Sequence, residues 1–385
     1  MRILVAPNAF KNSLAATDVA EAIKKGLENS KLHCTVECFP VGDGGDGTVE
    51  LLVKYKNGSI IAATVHDPLM RTISSLFGVM PDGKTAVIEM ANASGLRLLQ
   101  SNELDPLHAS SFGTGELIKR SLEVGANHII MCIGGSATVD GAVGSMQALG
   151  FGFFDKHNKE LVNIPETLVN LETIEFSHDE RLQQCKIVVL CDVENVLLGD
   201  EGAAAVFGPQ KGAKPDDVKK LEASLTKLST VIRKQTGKDI TTLKSGGAAG
   251  GMAAGLVAFL NATLVNGIDY FLSFTGFDES LENKDLVITG EGSIDMQTLQ
   301  GKGPFGVAKR AKEKGIPVIG LAGKISKEAM ASLEKYFDVL LSINKAPMDL
   351  ADALLRARNN LTRTAKTIGD ALAENGNFNK TIFYK

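Results

Sequence analysis

Thr35-Val-Glu-Cys-Phe-Pro-Val41 runs directly into Gly42-Asp43-Gly44-Gly45-Asp46-Gly47, and Val49, Leu52 and Val53 follow at helical spacing. The first run alternates as a strand does, the glycine cluster is a turn, and the apolar residues after it form one face of a helix. The same unit occurs upstream, where Arg2 to Ala6 reads as a strand and Thr17 as the cap of a helix. That helix has Asp18 in its first turn and Val19, Ile23 and Leu27 on its apolar face. From Ile60 to Met90 the texture changes to β-rich runs, Ile60 to Val65, Ile73 to Val79 and Ala86 to Met90, with Asp67-Pro68 and Pro81-Asp82-Gly83 predicting turns or hairpins between them. The middle carries strands predicted at His128 to Ile133 and Lys186 to Cys191, a charged amphipathic helix from Pro215 to about Lys234, and a small-residue helix around Met252 to Leu260. After Asp285 the regular alternation returns, with strands at Leu286 to Thr289, Pro317 to Leu321 and Val339 to Ile343, each followed by a helical segment. Such alternation implies parallel sheets with right-handed crossovers and ligands at the carboxyl ends of the strands. The expected fold class is α/β in two domains: a doubly wound domain built from residues 1–58 and 285–385, and a mixed α/β domain, residues 59–284, inserted between them.

Composition bounds what such a chain does. Its 385 residues suit two domains at roughly 150 residues each, and 44% hydrophobic with 22% charged residues is an ordinary globular balance. A net charge of −4 gives no electrostatic pull toward nucleic acid or anionic lipid. The longest apolar runs, Ile129 to Ile133 and Ile187 to Cys191, fall far short of the ~20 residues a membrane helix requires, and the first residues lack a signal h-region, so a cytoplasmic protein is expected. The five cysteines form no CxxC pair. Cys34 and Cys38 read as one face of a strand rather than as zinc ligands.

Glycine is in excess, 40 of 385, and the excess sits in clusters. Gly42 to Gly47 fits G-x-G-x-x-G between a strand and a helix, yet Asp43 and Asp46 would aim carboxylates at a pyrophosphate, so a magnesium-phosphate site suits it better. Ser111-Phe-Gly-Thr-Gly-Glu116 opens a helix with Thr114 as its expected cap. Gly134-Gly135-Ser136-Ala-Thr138, after a strand, offers consecutive backbone donors and two hydroxyls to an anion. Asp192 stands at the carboxyl end of a strongly apolar strand, where catalytic carboxylates are displayed. Ser245 to Gly251, almost without side chains, either meets a ligand by its backbone or packs closely on another element. Thr289-Gly290-Glu291-Gly-Ser-Ile-Asp295, with Gly301-Lys302 shortly after, gathers two carboxylates and an ammonium. There is no GxxxxGK[ST] motif, because Gly301-Lys302 runs into Gly303 and Gly323-Lys324 into Ile325, and no histidine lies in any cluster.

Taken together, these motifs resemble one family, the glycerate kinases of the bacterial type. The resemblance is carried by Ala6-Pro-Asn-Ala-Phe-Lys11, Asp43-Gly-Gly-Asp-Gly-Thr48, Asp67-Pro-Leu-Met-Arg71, Glu89-Met-Ala-Asn-Ala-Ser-Gly95 and Gly113-Thr-Gly-Glu-Leu-Ile118. It continues through Gly134-Gly-Ser-Ala-Thr138, Val206-Phe-Gly-Pro-Gln-Lys-Gly212 and Thr289-Gly-Glu-Gly292 with Gln297-Thr298 and Gly301-Lys302. The resemblance implies ATP-dependent phosphorylation of D-glycerate to 2-phosphoglycerate or 3-phosphoglycerate with Mg²⁺. It also implies a flavodoxin-like domain with an inserted domain similar to the restriction-endonuclease fold. The chain departs from the family pattern at Asn12, Asp46, Val139, Val196 and Ser293.

For that activity the expected catalytic groups are Asp192, with Asp295 as its rival for the base, and Lys11. Phosphate handling falls to Lys11, Ser136 and Lys302, with Gly134, Gly135, Thr138 and Gly290 approaching the nucleotide. Asp43 and Glu291 are the expected metal ligands, and Arg71 the reader of the substrate carboxylate. Two other readings remain open at this point: an NAD(P)-dependent oxidoreductase using Gly42 to Gly47 with Asp67 on the ribose, and a two-domain metabolite-binding protein without chemistry.

Overall fold

In the computed structural model, residues 1–375 other than Gln297 and Lys327 are described, so Gln297 of the motif above lies outside the described residues. The strands, in chain order, are β1 (Arg2–Val5), β2 (Thr35–Cys38), β3 (Ser59–His66), β4 (Thr72–Val79), β5 (Thr85–Glu89), β6 (His128–Cys132), β7 (Gly152–Asp155), β8 (Leu171–Glu175), β9 (Lys186–Cys191), β10 (Thr263–Asn266), β11 (Leu286–Ile294), β12 (Val318–Ile325) and β13 (Val339–Ser342). Two compact units result, residues 1–43 with 267 onward, and residues 44–266.

The first unit is a wholly parallel sheet in the order β13-β12-β11-β1-β2. From β1 the chain steps to β2 on one side and later returns on the other side as β11, so β1 and β11 flank the point where the winding direction reverses. In open α/β sheets that is where ligands bind. Ile3, Val5, Ile288 and Leu321 form the core with Val19, Ile23 and Leu27 of helix Ala16–Glu28 and Leu361 and Leu372 of helix Leu350–Asn375. Cys34 and Cys38 pack against this same core. β2 stops at Cys38, two residues before Pro40, which cannot donate to a ladder.

Two sequence expectations change here. Thr17 is not a cap: the first helix begins at Ala16 after an extended Ala15, and Thr17 lies inside it. Thr289 to Ile294 is not a loop after a strand but the second half of β11, paired with β12 through Glu291↔Ala322 and Ser293↔Lys324. Gly290 permits that pairing, since a Cβ there would run into the Leu321 carbonyl.

The second unit holds a six-stranded mixed sheet in the order β10-β9-β6-β5-β4-β3. β10, β9, β6 and β5 are parallel, and β4 and β3 continue the sheet as antiparallel strands. The three β-rich runs expected between 60 and 90 are β3, β4 and β5. β7 and β8 form a separate antiparallel pair. Helix Thr48–Lys56 packs on β4, where Gly78 leaves room for Val49 and Val53. For that reason the compact unit starts at Gly44 rather than at the expected residue 59. At the other end, Gly306 of helix Gly303–Glu313 seats Ile268, and Arg310 binds Asp278 at 2.6 Å, which ties residues 267–284 to the first unit. Thr114, expected as a cap, lies inside helix Phe112–Glu123 and donates to Ser94 Oγ at 2.7 Å. Among the described residues, no helix is long and apolar enough to cross a membrane.

Candidate functional site

In the first unit the side chains converge beside the carboxyl ends of β1, β2 and β11. Glu291 faces inward from β11 and is buried. Its carboxylate accepts from Thr298 Oγ1 at 2.8 Å, and it feels the positive charges of Lys302 and Lys11 and the negative charge of Asp43. Burial pushes its carboxyl up to about 7, with Asp43 adding to the rise and Lys302, Thr298 and Lys11 opposing it. Asp43, in the turn after β2, accepts from Asn8 Nδ2 at 2.7 Å and from the Gly303 amide at 3.4 Å. Thus Lys11, Asp43, Glu291 and Lys302, scattered over the sequence, meet in one cluster. Asp295 lies just past β11, its amide donating to Thr298 Oγ1 at 3.0 Å and its carboxylate accepting from Ser293 Oγ at 3.4 Å.

A cation would relieve two carboxylates that repel one another and a buried carboxyl held at about 7. Among the described residues no group of three or more His, Cys, Asp or Glu gathers as a metal cage. Magnesium does not require one, being held by one or two carboxylates together with phosphate and water oxygens. Asp43 and Glu291 fit that donor set.

In the second unit β5, β6 and β9 run parallel and in register, with Glu89 opposite Cys132 and Cys132 opposite Leu190. Their carboxyl ends therefore display Glu89, the Ile133–Thr138 turn and Asp192 along one edge of the sheet. Asp192 is half-buried directly after Cys191. Gly44 sits against Leu190, where a Cβ would come within 2.9 Å of the Leu190 Cβ, and its carbonyl accepts from the Gly134 amide at 2.9 Å.

The Gly42 to Gly47 turn has its donors taken already. Glu89 Oε2 accepts the amides of Gly47 at 3.0 Å and Val49 at 3.5 Å, so the N-terminus of helix Thr48–Lys56 holds a protein carboxylate where a dinucleotide fold would hold pyrophosphate. Asp67, the expected ribose ligand of that reading, instead caps its own turn. It accepts the amides of Leu69 and Arg71, both at 2.9 Å, and Arg71 Nε at 2.5 Å.

Burial raises the fully enclosed Glu89 carboxyl to about 7, with Glu50 and Asp46 adding to the rise while Arg97 and the Val49 amide oppose it. Arg97 bridges Asp46 and Glu89, each at 3.2 Å, and also contacts Asn92 Oδ1. The folded chain keeps the Glu89 proton up to about pH 7, whereas an unfolded chain releases it near 4.5. This group's stabilisation is therefore complete below 4.5 and lost as pH rises through 7. Glu89→Gln is expected to flatten the fall of stability across that window by on the order of 1–3 kcal/mol in urea unfolding. An unchanged slope would show that Glu89 is ionised throughout. Glu291 contributes in the same window to both proteins and cancels in the comparison.

Arg71 does not present a free fork. Its Nε binds Asp67, its Nη1 binds Glu103 Oε1 at 2.6 Å, and its Nη2 reaches the Leu98 carbonyl at 3.4 Å. It sits in the β3–β4 turn at the carboxyl end of β3, which runs parallel to β5, so it belongs to the same sheet edge as Glu89.

The Gly134–Thr138 turn is shaped by Gly135, at φ 74°, and by pairing of Ser136 with Gly95. The Ser245 to Gly251 segment packs rather than binding by its backbone. A Cβ on Gly250 would strike the Thr138 carbonyl, and one on Gly247 the Val196 carbonyl. Three groups went unassigned in the sequence. Glu89, the last residue of β5, is legible by the strand-end rule that marks Asp192, whereas Arg97, in the turn Leu96–Leu98, is not. Lys211, whose Nζ lies 2.8 Å from Ser136 Oγ, is marked in the sequence only by its place in the Val206 to Gly212 motif, which assigns it no role.

Carboxylates, ammonium groups and glycine turns stand at the carboxyl ends of parallel strands in each α/β unit, a set of groups suited to phosphate chemistry without a P-loop. The glycerate kinase family model matches residues 3–373. The chain is 43% identical over 373 residues to the glycerate kinase of Bacillus subtilis (strain 168), covering 97% of this chain and 98% of that one. It is 42% identical over 374 residues to the glycerate 2-kinase of Escherichia coli (strain K12), again covering 97% and 98%. A crystal structure described as glycerate kinase 2 of Salmonella typhimurium LT2 superposes with a TM-score of 0.81 at 41% identity, over 98% of this chain and 99% of that one. The chain belongs to the glycerate kinase family. The oxidoreductase and non-catalytic readings fall away.

Proposed function

We propose that the enzyme transfers the γ-phosphoryl group of ATP to D-glycerate in the presence of Mg²⁺, and that the product is 2-phosphoglycerate. The observation that carries this reading is the convergence of Lys11, Asp43, Glu291 and Lys302 beside the reversal point between β1 and β11. Choice of the 2-hydroxyl is supported by the name of the Escherichia coli relative. The finer fold reading goes with it: a flavodoxin-like unit, in keeping with its 2-1-3-4-5 strand order, and an inserted unit of restriction-endonuclease type.

Phosphoryl transfer leaves little covalent work to the protein, which positions the groups and neutralises charge. In this reading Asp192 takes the proton of the acceptor hydroxyl as that oxygen bonds to the γ-phosphorus and the bond to the ADP oxygen breaks. Asp295 is the alternative base. Lys11 and Lys302 balance phosphate charge, Gly290 gives the backbone close approach, and the Gly134, Gly135, Ser136 and Thr138 turn supplies hydrogen-bond donors to the nucleotide. Magnesium, held by Asp43 and Glu291, would supply charge neutralisation at the phosphate oxygens. ADP release that requires both D-glycerate and ATP tests the whole reading, and ADP formation independent of glycerate would sink it.

Arg71 is the proposed reader of the glycerate carboxylate. Asp67 anchors its Nε, and Glu103 occupies its Nη1 edge as a substrate carboxylate would. Arg71→Lys keeps the charge and loses the fork, so KM for glycerate is expected to rise at least ~tenfold, about 1.4 kcal/mol, with KM for ATP nearly unmoved. Equal changes in both constants, or none, would move the role to Lys11 or to a helix N-terminus.

A further inference from the structure

Lys211 closes the short turn Pro209–Lys211, and its side chain is only 2% exposed. Its Nζ contacts Ser136 Oγ at 2.8 Å and the Thr138 carbonyl at 2.7 Å, both neutral partners. An ammonium has three N–H donors, so these two acceptors leave one donor unspent, while a neutral amine, with two N–H donors and a lone pair, can also accept from the Ser136 hydroxyl. The Thr138 hydroxyl on the same turn is buried and has no hydrogen-bond partner. A buried cation held by neutral groups is costly unless an anion completes it.

The charged groups around it are few. Asp140, fully buried, lies behind the turn and spends its carboxylate on the amides of Ser111, Ala142 and Gly144 at 2.9 to 3.2 Å. Asp46, paired with Arg97, lies against Gly135. Helix Ala203–Phe207 carries no titratable side chain, and Asp105, Lys214, Asp216 and Asp217 near the adjoining segments are not buried. Burial lowers the Lys211 ammonium to about 7, with Asp140 opposing.

The charge on Lys211 biases the direction of the Ser136 hydroxyl. When the ammonium donates to Oγ, the hydroxyl hydrogen must turn away from it, leaving a charge-assisted donor. When the amine is neutral, its lone pair becomes an acceptor for that hydrogen, and with the hydroxyl so turned Ser136 can only accept elsewhere. An ionised phosphate oxygen accepts and cannot donate, so it favours the first state, in which the hydroxyl is held outward and the ammonium charge is compensated. We propose that Lys211 is a positioning residue: its ammonium turns the Ser136 hydroxyl outward as a donor and so sets the Gly134–Thr138 turn to hold a phosphate of the nucleotide. This rests on the assignment of that turn to ATP made above.

A bound phosphate stabilises the ammonium and raises its pKa in the complex. ADP affinity is then full below about pH 7 and falls as pH rises through that value, and at pH 8 binding draws a proton from the buffer. Titration calorimetry of the full chain with ADP at pH 8, in two buffers of different ionisation heat, reads this directly. The terminal phosphate of ADP, with a pKa near ~6, is already ionised there. The expected result is uptake of roughly half a proton or more per ADP by the wild type, none by Lys211→Arg or Lys211→Met, and most of it lost in Ser136→Ala. Binding without uptake by the wild type, uptake that survives in Lys211→Arg, or no ADP binding at all overturns the proposal. Glycerate phosphorylation is assayed separately. An active enzyme without proton uptake removes the role of Lys211 alone, and uptake without phosphorylation removes the glycerate reading alone.

Discussion

Asp192→Asn is expected to lower kcat ~10²-fold or more, the loss usual for removing a general base, with KM for both substrates changed far less. The substitution is close to isosteric at a half-buried position, and β9 behind it is clamped between β6 and β10, so the fold should survive. Any loss would then be chemical rather than structural. The neighbouring thiol offers an internal check: burial, with the Asp192 charge adding to it, pushes Cys191 up to about 12, and removing that charge should ease the rise. A kcat within threefold of wild type in a folded Asp192→Asn protein would shift the base to Asp295.

Asp43→Asn is expected to raise the Mg²⁺ concentration for half-maximal rate ~tenfold or more. Asp43 is held by Asn8 and the Gly303 amide, so its position is fixed by donors that an Asn oxygen can still satisfy. What the change removes is the charge, and with it half of the carboxylate pair. Glu291 alone, a carboxyl that burial already holds near 7, would bind a divalent cation poorly. Unchanged Mg²⁺ dependence would take Asp43 out of the metal shell.

Much of this was legible because the relevant rules are local. Alternation marks β1 to β6, and the strand-end rule points to Asp192, Ser136 and Glu291 as candidates from the sequence alone. Thr17 and Thr114 misled because a hydroxyl near a helix start is a cap only if the backbone is extended there. In this fold Ala15 takes that extended place, and Thr114 turns to Ser94. The sequence predicts only Leu286 to Thr289 of β11 because its second half is glycine-rich, and only pairing with β12 makes that half a strand. The unit boundaries at 43 and 266 rest on Gly78 receiving Val49 and Val53 and on Gly306 receiving Ile268, contacts that no periodicity encodes. The burial of Lys211 is not legible for a similar reason, since a lysine in a turn reads as solvated until packing encloses it.

Phosphorus NMR of the product formed from D-glycerate, ATP and Mg²⁺ tests the central claim most directly. The account predicts a new phosphomonoester resonance that grows with ADP and is split into a doublet by the single proton on C2, the pattern of 2-phosphoglycerate. A triplet would place the phosphate on the CH₂ oxygen and contradict the assigned hydroxyl. ADP accompanied only by inorganic phosphate would contradict glycerate as the acceptor.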